Sequence, residues 1–195
     1  MPDTMSKLTQ LIEAARTNDD RTVAGLVKEG VDPAKETLNG NTAVREAVLN
    51  SSKDVIQLLL GNHIGVDFKT FYMPPKGSNE LGYCPIHYAQ NEEVIDLLLE
   101  LGANIDQQTH MGHTLLMLAI AKAEKEDSTK IVTHILSKSP NLKKRGKFDF
   151  FAKNGSAQDL TDHLISRNER MYAKRKLDSV KQVVDRLYDI RSKLQ

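Results

Sequence analysis

Cys84 and His87 stand three residues apart where a helix begins, a place where the helix dipole can acidify a thiol and an imidazole can take its proton. A nucleophile of that kind would make the chain a small cysteine-dependent enzyme on a repeat scaffold. Nucleophilic catalysis also needs an orienting group and oxyanion donors, and the sequence proposes neither. His110 and His113 straddle Gly112 with a spacing that suits a metal. Zinc takes three or four ligands with a supporting shell, and no second cysteine or cluster of histidines supplies the rest. The run Lys143-Lys144-Arg145-Gly146-Lys147, with Lys174-Arg175-Lys176 after it, has the make-up of a nuclear import signal or a phosphate-contacting patch, and also of a solvated hairpin tip. Glu124 to Asp127 reads as a solvated helix end. Glycine-rich phosphate loops, paired-carboxylate spacings and nucleophile elbows are missing. The chain therefore reads as a non-enzyme with no catalytic residues, no metal and no cofactor, and the cysteine enzyme is the alternative.

The sequence has 195 residues, 39% of them hydrophobic and 27% charged, an ordinary length and make-up for one globular domain. A net charge of +1 does not ask for a nucleic acid or an anionic membrane as partner, and neither is expected. With no Trp and 5% aromatic residues, the core must come from Leu, Ile, Val and Ala, which suits helices packed closely on helices. The lone Cys84 excludes an internal disulfide and is compatible with a reducing compartment. Met1 to Lys7 lacks the basic segment and long apolar run of a secretory signal. The longest apolar run, Leu115 to Ala121, falls far below the roughly 18 residues a membrane span needs. These readings point to an unprocessed, soluble, cytoplasmic protein.

The elements that would position such residues are clearest from Gly82 to Asp106. A glycine turn leads into Gly82-Tyr83-Cys84-Pro85-Ile86-His87-Tyr88-Ala89, a helix that opens at a proline. An acidic joint follows, and then Val94-Ile95-Asp96-Leu97-Leu98-Leu99-Glu100-Leu101-Gly102-Ala103-Asn104, a second helix with an apolar face and a glycine stop. A unit this small cannot bury its own apolar face, so copies of it must stack. Partial copies do recur. Leu11, Ala14, Ala15, Val23, Leu26, Val27 and Gly30 share its spacing, as do Gly40-Asn41-Thr42-Ala43 with Val55 to Leu60, and Met111-Gly112-His113-Thr114-Leu115 with Ile131 to Leu136. At the end, Val180, Val183, Val184, Leu187, Ile190 and Leu194 recur at spacings of three and four between charged residues, the pattern of a closing helix with one apolar face.

This pattern resembles the ankyrin repeat, about 33 residues of turn and two helices whose first helix opens with T-P-L-H-x-A. Cys84, Pro85, Ile86, His87 and Ala89 take those places, with Cys84 for the Thr, and Ile95, Leu98, Leu99, Gly102, Ala103 and Asn104 match the second helix. The family usually has more residues between Ala89 and Val94, so the first helix here is expected to be clipped. The resemblance implies an all-α solenoid of about five helix-turn-helix units, with capping terminal units and short hairpin-like turns. The units are expected at residues 8–35, 36–67, 80–106, 107–140 and 141–195 of a single domain, with a long insertion at 68–81. The resemblance places Cys84 and His87 as structural residues, and expects positive φ at Gly82 and Gly112.

The function it implies is recognition of another protein through the concave face of turns and first helices, by a chain that is monomeric alone. The candidate partner-binding residues are Asn41, Tyr83, Gln90, Asn91, Met111 and His113 on that face, with Phe68, Phe71, Tyr72 and Met73 in the insertion. Aromatic residues and methionine are enriched at interface cores, and a soluble loop has little other reason to show them. Their alternative role is to fold back over the clipped first helix. Repeats this irregular are similar to those of bacterial effectors and host adaptors alike, so secretion by a pathogen into the host cytosol stands beside the cytoplasmic reading.

Overall fold

The computed structural model describes residues 6–37, 40–61, 65–69, 82–125, 129–148, 154–175 and 178–195, with backbone alone at 172, 174 and 175. Among these residues the chain is all-α. Its elements are α1 (Lys7–Arg16), α2 (Asp20–Lys28), α3 (Ala43–Leu49), α4 (Lys53–Leu60), a 3-10 turn (Pro85–Tyr88), α5 (Glu92–Glu100), α6 (Leu115–Ala123), α7 (Thr129–Ser137), α8 (Ala157–Arg175) and α9 (Asp178–Lys193). They form five successive helical pairs. None of the helices is long and apolar enough to cross a membrane. The chain divides into two compact units, residues 1–109 and residues 110–195.

Helix starts follow from short polar side chains that cap otherwise unmatched backbone N–H groups. Oxygens of Ser6, Asp19, Thr42 and Asn91 accept from the N–H groups of Thr9, Thr22, Arg45 and Val94 at 3.2, 3.1, 3.0 and 2.9 Å. At α8 the cap is reciprocal: Ser156 Oγ accepts from the Asp159 N–H at 3.2 Å, while an Asp159 carboxylate oxygen accepts from the Ser156 N–H at 2.8 Å. The Ser156 N–H and then the Ser156 hydroxyl, each donating to that carboxylate at 2.8 Å, hold the Asp159 carboxyl below the usual range.

In residues 1–109, α1 packs on α2 and α3, α2 on α4, and α3 on α4 and the 3-10 turn. Leu11, Ala15, Val23, Val44, Ala47, Val48, Val55, Ile56, Val94, Ile95 and Leu98 have no exposed surface. The alanines let neighbouring backbones close up, as the Trp-free composition requires. The clipped first helix is observed: the 3-10 turn has four residues where α3 has seven, and Ala89 already has extended backbone at ψ 129°. In residues 110–195, α6 packs on α7, α8 and α9, and α7 on α9. Leu160, Leu164 and Ile165 of α8 are buried, and of the apolar stripe read from the sequence Leu187, Ile190 and Leu194 are buried while Val180, Val183 and Val184 are half-buried. With 19 and 16 residues, α8 and α9 are longer than the other helices. The turn expected at residues 177–179 falls partly outside the described residues, and α9 begins at Asp178.

Three of the second helices, α2, α5 and α7, end alike. The N–H groups of Gly30, Gly102 and Ser139 bond the carbonyls of Val27, Leu99 and Leu136, and all three residues take positive φ, at 85°, 94° and 57°. Ser139 holds a left-handed conformation that costs an L-residue of the order of 1–2 kcal/mol and glycine almost nothing. We expect Ser139→Gly to stabilise the chain by about 0.5–1 kcal/mol, after the extra unfolded-state entropy of glycine is set against the relieved strain, read as a higher urea midpoint at unchanged slope.

Candidate partner-binding surface

The Cys84–His87 pair is built for structure. His87 Nδ1 accepts from the Cys84 backbone N–H at 2.8 Å, so the proton sits on Nε2, which donates to the Gln107 carbonyl at 2.9 Å. Both ring nitrogens thus hold backbone, closing the 3-10 turn at one end and tying it to the following turn at the other. The thiol has no exposed surface and donates to the Asp67 carbonyl at 3.4 Å. Burial pushes its pKa up to about 11, away from the thiolate that a nucleophile needs.

Turn-to-turn ties recur in residues 110–195 through a different histidine. His113 is buried, its Nε2 donates to the Lys147 carbonyl at 2.5 Å, and its ring stacks on Phe148 with centroids 4.5 Å apart. The Met111 carbonyl accepts from the Lys147 N–H at 2.7 Å. Gly146 lies so close beneath that a Cβ there would stand 2.6 Å from His113 Cδ2 and 2.9 Å from the Gly112 carbonyl oxygen. Gly82 and Gly112 sit at φ 72° and 81°, the positive values that their turns require.

A different set of residues forms the first-helix face of residues 1–109. The joints between paired helices fix its register: the N–H of Asp19 bonds Ala14, and that of Ser52 bonds Ala47, each just after a positive-φ residue. Ala14 and Ala47 are therefore equivalent, and so are Glu13 and Glu46 before them. Counted from the caps Thr42 and Cys84, Tyr88 is the match of Glu46. Along this line runs a continuous chain of polar contacts. Arg16 bonds Glu13 at 2.8 Å and Glu46 at 3.2 Å, Arg45 bonds the other Glu46 oxygen at 3.1 Å, and the Arg45 guanidinium lies 5.2 Å from the centre of the Tyr88 ring. Tyr83 continues it, 5.2 Å from Tyr88 and 5.4 Å from His87, ring to ring. At the other end is an open cleft of about 610 Å³, lined by Ser6, Thr9, Ile12, Glu13, Arg16, Glu36, Thr37 and Asn41 among others.

The sequence-derived candidates divide accordingly. Asn41 lines the cleft, and its side-chain oxygen accepts from Arg45 at 3.4 Å. Tyr83 is half-buried at the far end of the chain of contacts. Gln90 is exposed, whereas Asn91 caps α5 and donates to Ser51 Oγ at 2.6 Å. Phe68 is half-buried, and Phe71, Tyr72 and Met73 lie outside the described residues. Met111 and His113 belong to residues 110–195, where His113 is spent on the hairpin tie. Sequence reasoning missed Glu13, Arg16, Arg45, Glu46 and Tyr88. The signal was available: Glu46 and Tyr88 each stand just before the small residue that follows the helix-opening motif.

Comparison with known proteins locates the repeat. The family model described as ankyrin repeat matches residues 81–110. The chain carries an ankyrin repeat. That ankyrin match contains the 3-10 turn and α5, the unit whose histidine makes both backbone bonds. The chain is similar to a mitochondrial disaggregase of Bos taurus, 31% identical over 141 aligned residues that cover 57% of this chain and 21% of the relative. It is also similar to the potassium channel AKT2/3 of Arabidopsis thaliana, 28% identical over 120 residues that cover 62% of this chain and 14% of the relative. The chain thus spans about a fifth or less of either curated relative.

The ankyrin setting of Cys84 has a pH signature. Its folded thiol ionises near 11 and an ordinary one near 9, so the unfolded state loses its proton first and stability falls as pH rises from about 9 towards 11. Thr stands at the same cap position in Thr42 and Thr114. Cys84→Thr is expected to remove that thiol-dependent loss in urea melts across this range. Native Cys84 is expected to alkylate far more slowly at pH 8 than the urea-unfolded chain.

Proposed function

We propose that the chain is a protein-binding module whose contact surface in residues 1–109 is the strip running from the α1 cleft through Arg45 to Tyr83. The observation that carries it is Asn41, a residue singled out from the sequence, which lines the cleft and also bonds Arg45. Ankyrin repeats serve protein–protein binding in general, and the composition of the strip suits that role. Arg and Tyr are the residue types most enriched at binding hot spots. Their side chains here are held by neighbours, so a partner would spend little conformational entropy in ordering them. The same strip offers a partner apolar contact at the half-buried Leu8 and hydrogen-bonding groups at Ser6, Thr9 and Thr37.

The insertion residues Phe71, Tyr72 and Met73 are proposed as a second element of the contact, beside Phe68. The single-domain organisation with units at 8–35, 36–67, 80–106, 107–140 and 141–195, and a monomeric free state, belong to the same reading. The cysteine-enzyme alternative loses ground to a buried thiol whose neighbouring imidazole is occupied by backbone. Action as a secreted effector rests on repeat irregularity alone, and a translocation reporter fused to the chain tests it.

Affinity capture from cell extracts, followed by titration of the captured protein, tests the strip. Arg45→Ala and Tyr83→Ala should each weaken capture by about tenfold or more, the effect of truncating a hot spot, while each variant keeps a cooperative melt within a few degrees of the parent. Capture unchanged by both substitutions would move the contact elsewhere. Phe71→Ala with Tyr72→Ala then reports on the insertion: lost capture at an unchanged melt assigns it to binding, and a large fall in melting temperature assigns it to the core.

A further inference from the structure

The net charge of +1 conceals a sharp division. Residues 1–109 hold nine Lys and Arg against sixteen Asp and Glu, a net −7, and residues 110–195 hold eighteen against ten, a net +8. The densest cationic stretch is Lys143-Lys144-Arg145-Gly146-Lys147, four cations with no carboxylate. The next six residues add Asp149 and Lys153, which cancel, so the excess stands.

A solvated tip with this composition would be ordinary if its backbone were loose, but it is pinned along its length. Asn141 Oδ1 accepts from the Lys143 N–H at 3.0 Å and the Asn141 carbonyl from the Lys144 N–H at 3.2 Å. Gly146 and Gly155 exchange two backbone bonds, each at 2.9 Å. Lys147 is held on both sides, its N–H by the Met111 carbonyl and its carbonyl by His113, with Phe148 stacked on that imidazole. Arg145 stays exposed but is engaged by the Asn154 carbonyl and Asp159. Three lysines are left to face outward from a fixed backbone: Lys143 and Lys147 are exposed and Lys144 is half-buried.

We propose that this hairpin is an anion-binding surface that docks an acidic segment of a partner protein through Lys143, Lys144 and Lys147. It lies apart from the strip proposed above and does not depend on it. The fixed backbone keeps the three lysine stems in one arrangement, so docking spends nothing on ordering the loop itself and only the side chains lose freedom. Three ammonium groups on one turn match a short run of Asp or Glu. A nucleic acid would instead need a track of phosphate contacts, and two arginines of the long helices are drawn into ion pairs, Arg167 with Glu124 and Arg191 with Asp162.

The probe is fluorescein-labelled decaglutamate, followed by anisotropy with the full chain at about 50 mM salt. The variant Lys143→Gln/Lys144→Gln/Lys147→Gln is expected to bind about tenfold or more weakly, against less than about threefold for Lys125→Gln/Lys130→Gln/Lys181→Gln, which removes the same charge from exposed sites of the same half. Equal losses in the two variants would show a diffuse field and overturn the proposal, as would failure of the parent to bind. Tighter binding of a ten-nucleotide oligothymidylate than of decaglutamate would overturn the choice of a protein partner. Should the triple variant lose its cooperative melt, Lys143→Glu alone carries the comparison, since its side chain is exposed and must still weaken the peptide.

Discussion

A pair of helices seven to ten residues long cannot cover its own apolar face, and everything else here answers that constraint. In residues 1–109 the solution is lateral: α1 and α3 lie side by side, α2 and α4 lie side by side, and alanines at 14, 15, 43 and 47 keep the backbones close. Such stacking works only if successive turns keep register. Register is held by hydrogen bonds from side chains to the next turn's backbone, whose donors and acceptors would otherwise be left open. His87 to Gln107, His113 to Lys147 and Asp67 to the Asn104 N–H at 3.2 Å are three forms of that one device.

Helix pairing was legible in the sequence because it depends on local chemistry. Ser6, Asp19, Thr42, Asn91 and Thr114 announce helix starts, Gly30 and Gly102 announce ends, and apolar spacing identifies the inward faces. The clipped 3-10 turn could be inferred from the few residues between Ala89 and Val94. The candidate surface was less legible, because it is made of side chains brought together from different units. Arg16 and Glu46 are thirty positions apart and meet at 3.2 Å. His113 shows the converse: its place in the turn suggested an accessible polar group, and only the neighbouring hairpin, with Lys147 and Phe148, turns it into an internal tie. The charge division is hidden in the total because the two halves nearly cancel.

Glu46 shows how a polar group comes to be buried along the strip from Arg16 to Tyr83. It is 8% exposed, and an unpartnered carboxylate at that depth would cost several kcal/mol. Two guanidiniums, one on each oxygen, answer the charge. Those guanidiniums are only partly screened from water, so the pairs contribute less to stability than to holding Arg16 and Arg45 in place. Removing Glu46 would therefore take one anchor from each of two arginines, leaving Arg16 on Glu13 and Arg45 on Asn41 and Tyr88.

The same logic shows how one position can change its purpose. Three residues after their caps, Arg45, His87 and Met117 are equivalents. His87 is short and planar, with a ring nitrogen for each of two backbone groups, and it locks its turn to the next. Met117 is buried at 1% exposure and serves the core. Arg45 has too many donors and too long a stem for the histidine's two-point bond, so it extends along the face, where Asn41, Glu46 and the Tyr88 ring receive it. A degraded motif is thus more than lost information. Where the histidine is absent, the turn before α3 is closed within itself: the Thr37 N–H bonds the Asn41 carbonyl at 3.0 Å and Thr37 Oγ1 accepts from the Asn41 N–H at 3.2 Å. That local closure frees position 45 from a structural duty, which is the physical condition for it to serve recognition.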